Sequence, residues 1–257
     1  MIKASNLTIA YGRKTILEDI SFTATKGELI GIIGPNGIGK STFLKALRGF
    51  IPLAKGSITI AKQNLADLSE QSLAKIIAYQ GQNINSNFNY TAYDVVLAAR
   101  YAHLKWYERP SEIDREKVLQ AMHYTKCFDY KDMPLNQLSG GQRERVFLAK
   151  TIAQDTPLLF FDEPCVGLDI FHQDNFLKEA VKLAKSGKTI LMVIHELALA
   201  ARFCTRLCLL TKGRILADGL AADVLTKANL SLAYNAPLEV TVNAATGHYD
   251  IYSAESQ

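Results

Sequence analysis

The sequence predicts an α/β fold, and three stretches carry that prediction. In "ELIGIIGPNGIGKST" an apolar run ends in glycine, passes through a glycine-rich loop and opens into a helix. "PLLFFDEP" and "KTILMVIHE" are two more apolar runs that end in ionisable residues, with helical spacing between them. Short buried strands alternating with helices are the pattern of an α/β core.

The remaining elements follow in order. "KASNLTIAY" alternates loosely and "ILEDISFTA" comes after a short polar turn, so the first ~30 residues read as strands. A helix starts at about Lys40 and covers "STFLKALRGF", and "GSITIA" returns as a strand. From about 85 to 135 the texture changes. "TAYDVVLAARYAHL" and "EIDREKVLQAMHYTKC" have helical apolar spacing, and Ser111 with Asp114 three residues on supplies a helix start. This stretch, running on through "ERVFLAKTIAQD", reads as a helical subdomain (about 85–150) inserted into the core. "DIFHQDNFLKEAVKLAKSG" is a helix closed by Gly187, and "LCLLTKGRILADG" is a hairpin turning at Lys212 and Gly213. Residues 1–230 form the main unit. In the weakly patterned tail, 231–257, "APLEVTVNAATGHYDIY" is a hairpin either packed on the core or offered to a partner chain.

Of the 257 residues 48% are hydrophobic and 21% charged, enough for one large domain with a full core. The net charge of +4 is spread without a lysine or arginine block, which argues against nucleic acid as partner. Cys127, Cys165, Cys204 and Cys208 form no CxxC pair. Cys204 and Cys208 have helical-turn spacing and could make a metal pair, but reduced thiols are the plainer reading. "MIKASNLTIAYG" lacks the apolar core of a secretory leader, and no apolar run reaches the roughly eighteen residues a membrane span needs. A soluble chain is expected, with any membrane role reached through a partner.

The chemistry concentrates in five places. "GPNGIGKST", residues 34–42, matches G-x-x-x-x-G-K-[ST] between a strand and a helix. Gly34, Gly37 and Gly39 let successive N–H groups face a β-phosphate, with Pro35, Asn36 and Ile38 completing the loop. Lys40 supplies charge to the β- and γ-phosphates, the Ser41 hydroxyl suits Mg²⁺, and Thr42 follows it. Ile38 is bulky for such a loop, though its side chain can point outward. Asp162 and Glu163 end "LLFFDE": Asp162 fits a second Mg²⁺ partner through water, and Glu163 a general base for an attacking water. His195 ends the next strand, where a neutral imidazole can bond the γ-phosphate or serve the fold alone. Tyr11 ends the first strand and is either an adenine-stacking aromatic or an ordinary strand residue. "NQLSGGQRERV" is a second glycine-rich helix start, an unexpected duplicate for a single phosphate site.

In this order the motifs resemble an ABC-transporter nucleotide-binding domain over nearly the whole chain. "GPNGIGKST" is similar to the Walker A loop, "LLFFDE" to the Walker B strand, "LSGGQ" to the family signature, and "GLD" at 167–169 to the D-loop. The resemblance implies a P-loop ABC-ATPase fold with an N-terminal antiparallel β subdomain. It implies His195 as the switch histidine, Tyr11 as the adenine platform, and Gln82 in "AYQGQN" as the Q-loop glutamine that touches Mg²⁺, with Gln80 as its competitor. It also accounts for the duplicate. Two cassettes would pack head to tail as a homodimer, and Ser139, Gly140, Gly141 and Gln142 would bind the γ-phosphate of the partner's ATP. A single chain is then a poor ATPase. "YDVVLAARYAHLKWY" and "LDIFHQ" resemble the ATPases of importers for iron-siderophores, haem and vitamin B12, the siderophore branch in particular. That implies two integral-membrane permease subunits, an extracytoplasmic substrate-binding protein, and a place at the cytoplasmic face of the membrane. A soluble ABC-type ATPase of an iron–sulfur assembly is the alternative. "AAR" and Cys165-Val166 depart from the usual pattern and bear on the cargo, not on the hydrolysis.

Overall fold

The computed structural model describes residues 1–81 and 89–254. β1 (Ile2–Tyr11) and β2 (Lys14–Ala24) pair antiparallel. β3 (Leu29–Ile33) then runs into the glycine-rich loop and α1 (Lys40–Arg48). β4 (Lys55–Ile60) returns to β1, and with β5 (Gln63–Asn64) completes a four-stranded sheet ordered β2-β1-β4-β5. α2 (Glu70–Ile76) leads into β6 (Ile77–Gln80). α3 (Ala92–Leu97), α4 (Glu112–Tyr124) and α5 (Gly140–Ala153) follow. The chain then alternates through β7 (Leu158–Asp162), α6 (Ile170–Lys185), β8 (Thr189–Val193) and α7 (Leu197–Phe203). β9 (Arg206–Thr211) and β10 (Arg214–Gly219) form the expected hairpin, with Lys212 and Gly213 both at positive φ. α8 (Ala221–Val224), α9 (Lys227–Tyr234) and the hairpin β11 (Leu238–Val242)–β12 (Tyr249–Ser253) finish the described chain.

The second sheet has the order β10-β9-β3-β8-β7-β6, and every pairing in it except β10 with β9 is parallel. Apart from Thr189 and Asp162 at strand ends, β3, β7 and β8 are apolar, because both faces are buried. Ile30, Ile32, Phe160, Leu191 and Val193 face one core cluster, shared with the four-stranded sheet and α1. Leu29, Ile33, Phe161, Ile190 and Met192 face another, shared with α6 and α9. Leu238, Val240, Tyr249 and Ile251 of the terminal hairpin pack on that second cluster. Burial of this many aliphatic side chains, each contributing roughly 1.5–3 kcal/mol, is what fixes the strand ends that carry the site.

α3, α4 and α5 enclose a third cluster around Val96, Val118, Met122 and Val146. Ser111 and Asp114 form the reciprocal cap expected at the start of α4. Asp114 also accepts from Arg100 Nε at 2.9 Å, while Arg100 Nη1 reaches the Ala153 carbonyl at 2.7 Å. Arg100, the last residue of the "AAR" departure, thus pins the three helices together. Cys204 caps the end of α7 and Cys208 lies inside β9, so the two do not share a helix and the metal-pair reading is withdrawn. All four cysteines are free. Among the described residues no helix is long and apolar enough to cross a membrane.

Candidate functional site

Three parallel strands end side by side, and each delivers one part of the site. β3 lies against β8, and β8 against β7. The 34–39 loop leaves β3, Asp162 and Glu163 end β7, and His195 follows β8 by two residues. Carboxyl ends of parallel strands are where open α/β sheets hold their ligands, because the loops there diverge and leave a crevice. Here the crevice is about 490 Å³, lined by Asn36, Gly37, Gly39, Lys40, Ser41, Thr42, Glu163 and His195, with Ile16 and Val166 at its apolar side.

Gly34, Gly37 and Gly39 all stand at positive φ, the conformation glycine takes without steric cost. At Gly34 the need is also one of space, since a Cβ would sit 2.2 Å from the Leu210 carbonyl oxygen. Lys40 is 4% exposed and donates to the carbonyls of Gly34 and Pro35, each at 2.8 Å. An ammonium has three donors, so a third remains for an anion. Burial lowers the Lys40 pKa, and the charges of Glu163 and Asp162 partly restore it. Ile38 does not use the outward direction open to it: it is half-buried against the first core cluster, as Ile16 is. The loop is folded down onto β2 there, and the apolar side chain fills that contact.

Asp162 is 2% exposed and held at both oxygens. Ser41 Oγ donates to Oδ1 at 2.7 Å, and the Tyr79 hydroxyl donates to Oδ2 at 2.8 Å. Glu163 has φ +57°, a left-handed conformation that costs a non-glycine residue about 1 kcal/mol or more and collects at functional positions. Its Oε1 lies 2.7 Å from His195 Nε2. His195, expected at a γ-phosphate, therefore has the Glu163 carboxylate as its immediate partner.

The second glycine-rich helix start lies elsewhere. Ser139–Gln142 contributes nothing to the lining of the Lys40 crevice. α5 begins at Gly140, directly after Ser139. Ser139 and Gln142 cap it reciprocally: Ser139 N donates to Gln142 Oε1 at 2.8 Å, and Gln142 N to Ser139 Oγ at 3.3 Å. Gly141 abuts the ring of His172, which Asp169 holds through Nδ1 at 2.8 Å. Tyr11 ends β1 and is 53% exposed, outside the residues that line the crevice. Gln82 lies outside the described residues. Its competitor Gln80 is buried and donates to Glu144 Oε1 at 2.8 Å. Sequence reasoning gave no role to Tyr79, Ile16 or His172. Tyr79 and His172 stand inside "AYQGQN" and "LDIFHQ", but only the fold brings the three to Asp162, the crevice and Gly141.

These residues fit a nucleotide with Mg²⁺. The loop offers backbone N–H groups and a buried cation, as a phosphate cradle must. Ser41 and Asp162 offer two hard oxygens 2.7 Å apart. Mg²⁺ takes few protein ligands and completes its shell with water and phosphate oxygens.

A family model described as ABC transporter matches residues 17–166. The chain is 39% identical over 259 residues to a hemin import ATP-binding protein of Pseudoalteromonas translucida, covering 96% of this chain and 98% of that one. It is 33% identical over 262 residues to an iron(3+)-hydroxamate import ATP-binding protein of Bacillus subtilis, covering 100% and 97%. A solved metal-chelate type ABC transporter in an inward-facing conformation matches with a TM-score of 0.86 at 25% identity, over 99% of this chain and 97% of that one. With the Lys40 crevice, its acid–histidine rim and the "LSGGQ" helix start all in place, this chain belongs to the ABC transporter family as one of its ATP-hydrolysing cassettes.

Proposed function

We propose that this chain binds and hydrolyses ATP to drive a membrane importer for an iron chelate, most closely an iron-siderophore, with haem as the related cargo. The observation that carries the hydrolytic part is the Glu163–His195 pair at 2.7 Å on the rim of the Lys40 crevice. The import part is supported by whole-length similarity to proteins named for hemin and hydroxamate import.

Each site residue has a task. The 34–39 loop and Lys40 hold the β- and γ-phosphates, and Tyr11 stacks on adenine. Ser41 and Asp162 would hold Mg²⁺, and the family resemblance assigns Gln82 to the same ion. Bound there, Mg²⁺ neutralises charge developing on the phosphate oxygens. His195 Nε2 fixes Glu163 Oε1, which leaves Oε2 to accept the proton of an attacking water. Ser139, Gly140, Gly141 and Gln142 serve the ATP of a second copy, because they stand outside their own chain's crevice. Two copies related by a two-fold axis thus complete two sites together. Two permease subunits dock on the pair at the cytoplasmic face of the membrane, and a substrate-binding protein delivers cargo on the far side.

The test is to tag the chain, solubilise its native membranes gently and identify by mass what co-purifies. A many-span permease at two copies per two cassettes supports the importer, and its sequence narrows the cargo. Recovery with soluble proteins alone rejects transport, favours the cytosolic assembly reading and leaves the ATPase standing.

A further inference from the structure

Tyr79 sits where no motif assigns a role, two residues before Gly81 at the end of β6. Its hydroxyl donates to Asp162 Oδ2 at 2.8 Å, opposite the Ser41 bond to Oδ1. Its ring is held on two sides: Phe50 meets it edge-on with centroids 5.2 Å apart, and Gly81 lies over its edge, where a Cβ would come within 3.0 Å of Cε1. β6 pairs in parallel with β7, which places Tyr79 opposite Phe160, two residues before Asp162. The hydroxyl is therefore anchored by a strand, an aromatic contact and a close backbone approach.

The torsion that turns a carboxylate is broad and two-fold, so one donor alone leaves the second oxygen to wander. A charge-assisted O–H···O⁻ bond on that oxygen selects a single orientation. Each carboxylate oxygen accepts two bonds, so both keep a lone pair for the ion or its waters.

We infer that Tyr79 is a positioning residue for the metal site: through its hydroxyl it fixes the Asp162 carboxylate so that Asp162 and Ser41 present their oxygens together to Mg²⁺. The inference rests on the metal reading of Ser41 and Asp162 given above. Tyr79 does not touch ATP, so it acts on the affinity for the ion and not on the affinity for metal-free nucleotide. Loss of an outer-shell partner costs about 10- to 100-fold in metal affinity, and a single neutral donor belongs at the lower end.

The experiment uses the full chain carrying Glu163→Gln, in which hydrolysis is suppressed, with saturating ATP and Mn²⁺ as a paramagnetic stand-in for Mg²⁺. Free Mn²⁺ is read by electron paramagnetic resonance, ATP affinity is measured separately in EDTA, and the melting temperature is recorded. Tyr79→Phe, which removes only the hydroxyl, is expected to weaken Mn²⁺ binding roughly tenfold, to leave metal-free ATP affinity unchanged and to lower the melting temperature modestly, since a buried carboxylate oxygen loses its donor. Unchanged Mn²⁺ affinity overturns the inference. So does a parallel loss of metal-free ATP affinity, which would make Tyr79 part of the general scaffold. Asp162→Asn in the same background separates the two levels. If it too leaves Mn²⁺ affinity intact, the metal reading itself is wrong and the role of Tyr79 falls with it.

Discussion

Glu144 shows how far a residue's surroundings can move its chemistry. In "GQRERV" it looks like an ordinary acid on a helix surface, but α5 turns it inward to Gln80 at the end of β6. Burial pushes its carboxyl up to about 7, and the Gln80 amide only partly opposes that. The native state thus keeps a proton that the unfolded chain releases near its ordinary value of 4.5. Between those two values the native chain binds more protons, so stability falls as pH rises and levels off above about 7. Glu144→Gln cannot ionise and removes this slope. It should stabilise the chain by about 1–3 kcal/mol at pH 8 and by well under half of that at pH 5, read from urea melts at both. An equal gain at the two pH values would show that the carboxylate is ionised throughout. Tyr79 repeats the lesson. Lys40, Asp162 and Glu163 were legible because local motifs mark them, whereas Glu144 and Tyr79 acquire their partners only across 64 and 83 residues of chain.

At the scale of elements, the ends of helices and hairpins were the readable part. Ser111–Asp114, Gly187 and Lys212–Gly213 each punctuate the chain as their local chemistry requires. α2, β6, α7 and α9 went unread, since each is only four to eight residues long and is specified by what it packs on. The start of α5 combines both kinds of information. Its cap, Ser139 with Gln142, is local. The space for Gly141 is set by α6: a Cβ there would lie 2.3 Å from His172 Cδ2, while a Cβ on Gly140 would meet nothing within 4 Å. Gly141→Ala must shift the His172 ring away from its place beside Asp169, and the melting temperature should fall relative to Gly140→Ala. Gly140→Ala should be neutral or slightly stabilising, since alanine favours a helix. Thermal melts of the two variants check this, and His172→Ala should remove the penalty at Gly141. Equal melting temperatures for both single variants would show that α6 does not constrain the signature.

For the whole molecule, the sheet places one glycine-rich helix start and the helical layer places the other. α1 follows β3 at the carboxyl edge of the parallel strands, and α5 begins beside α6, outside the crevice. The sequence shows both starts but not their separation, because the separation depends on strand order and on the third core cluster. If each ATP is shared between copies, damage to the two starts must complement. Lys40→Ala removes the cation of a chain's own crevice, and Ser139→Arg blocks what it offers its partner. Each variant alone builds dimers with two defective sites and should hydrolyse little ATP. Mixed in equal amounts and allowed to exchange, about half the dimers pair one of each. In those, both lesions fall in one site, and the other joins an intact Lys40 loop to an intact Ser139 helix start. ATPase activity should then recover to about a quarter of the unmodified level if sites fire independently. Recovery well below that, with mixed dimers confirmed by mass, would mean that both sites must close for either to react. Full activity from either variant alone would show that one chain completes its own site, and the head-to-tail pair would have to be abandoned.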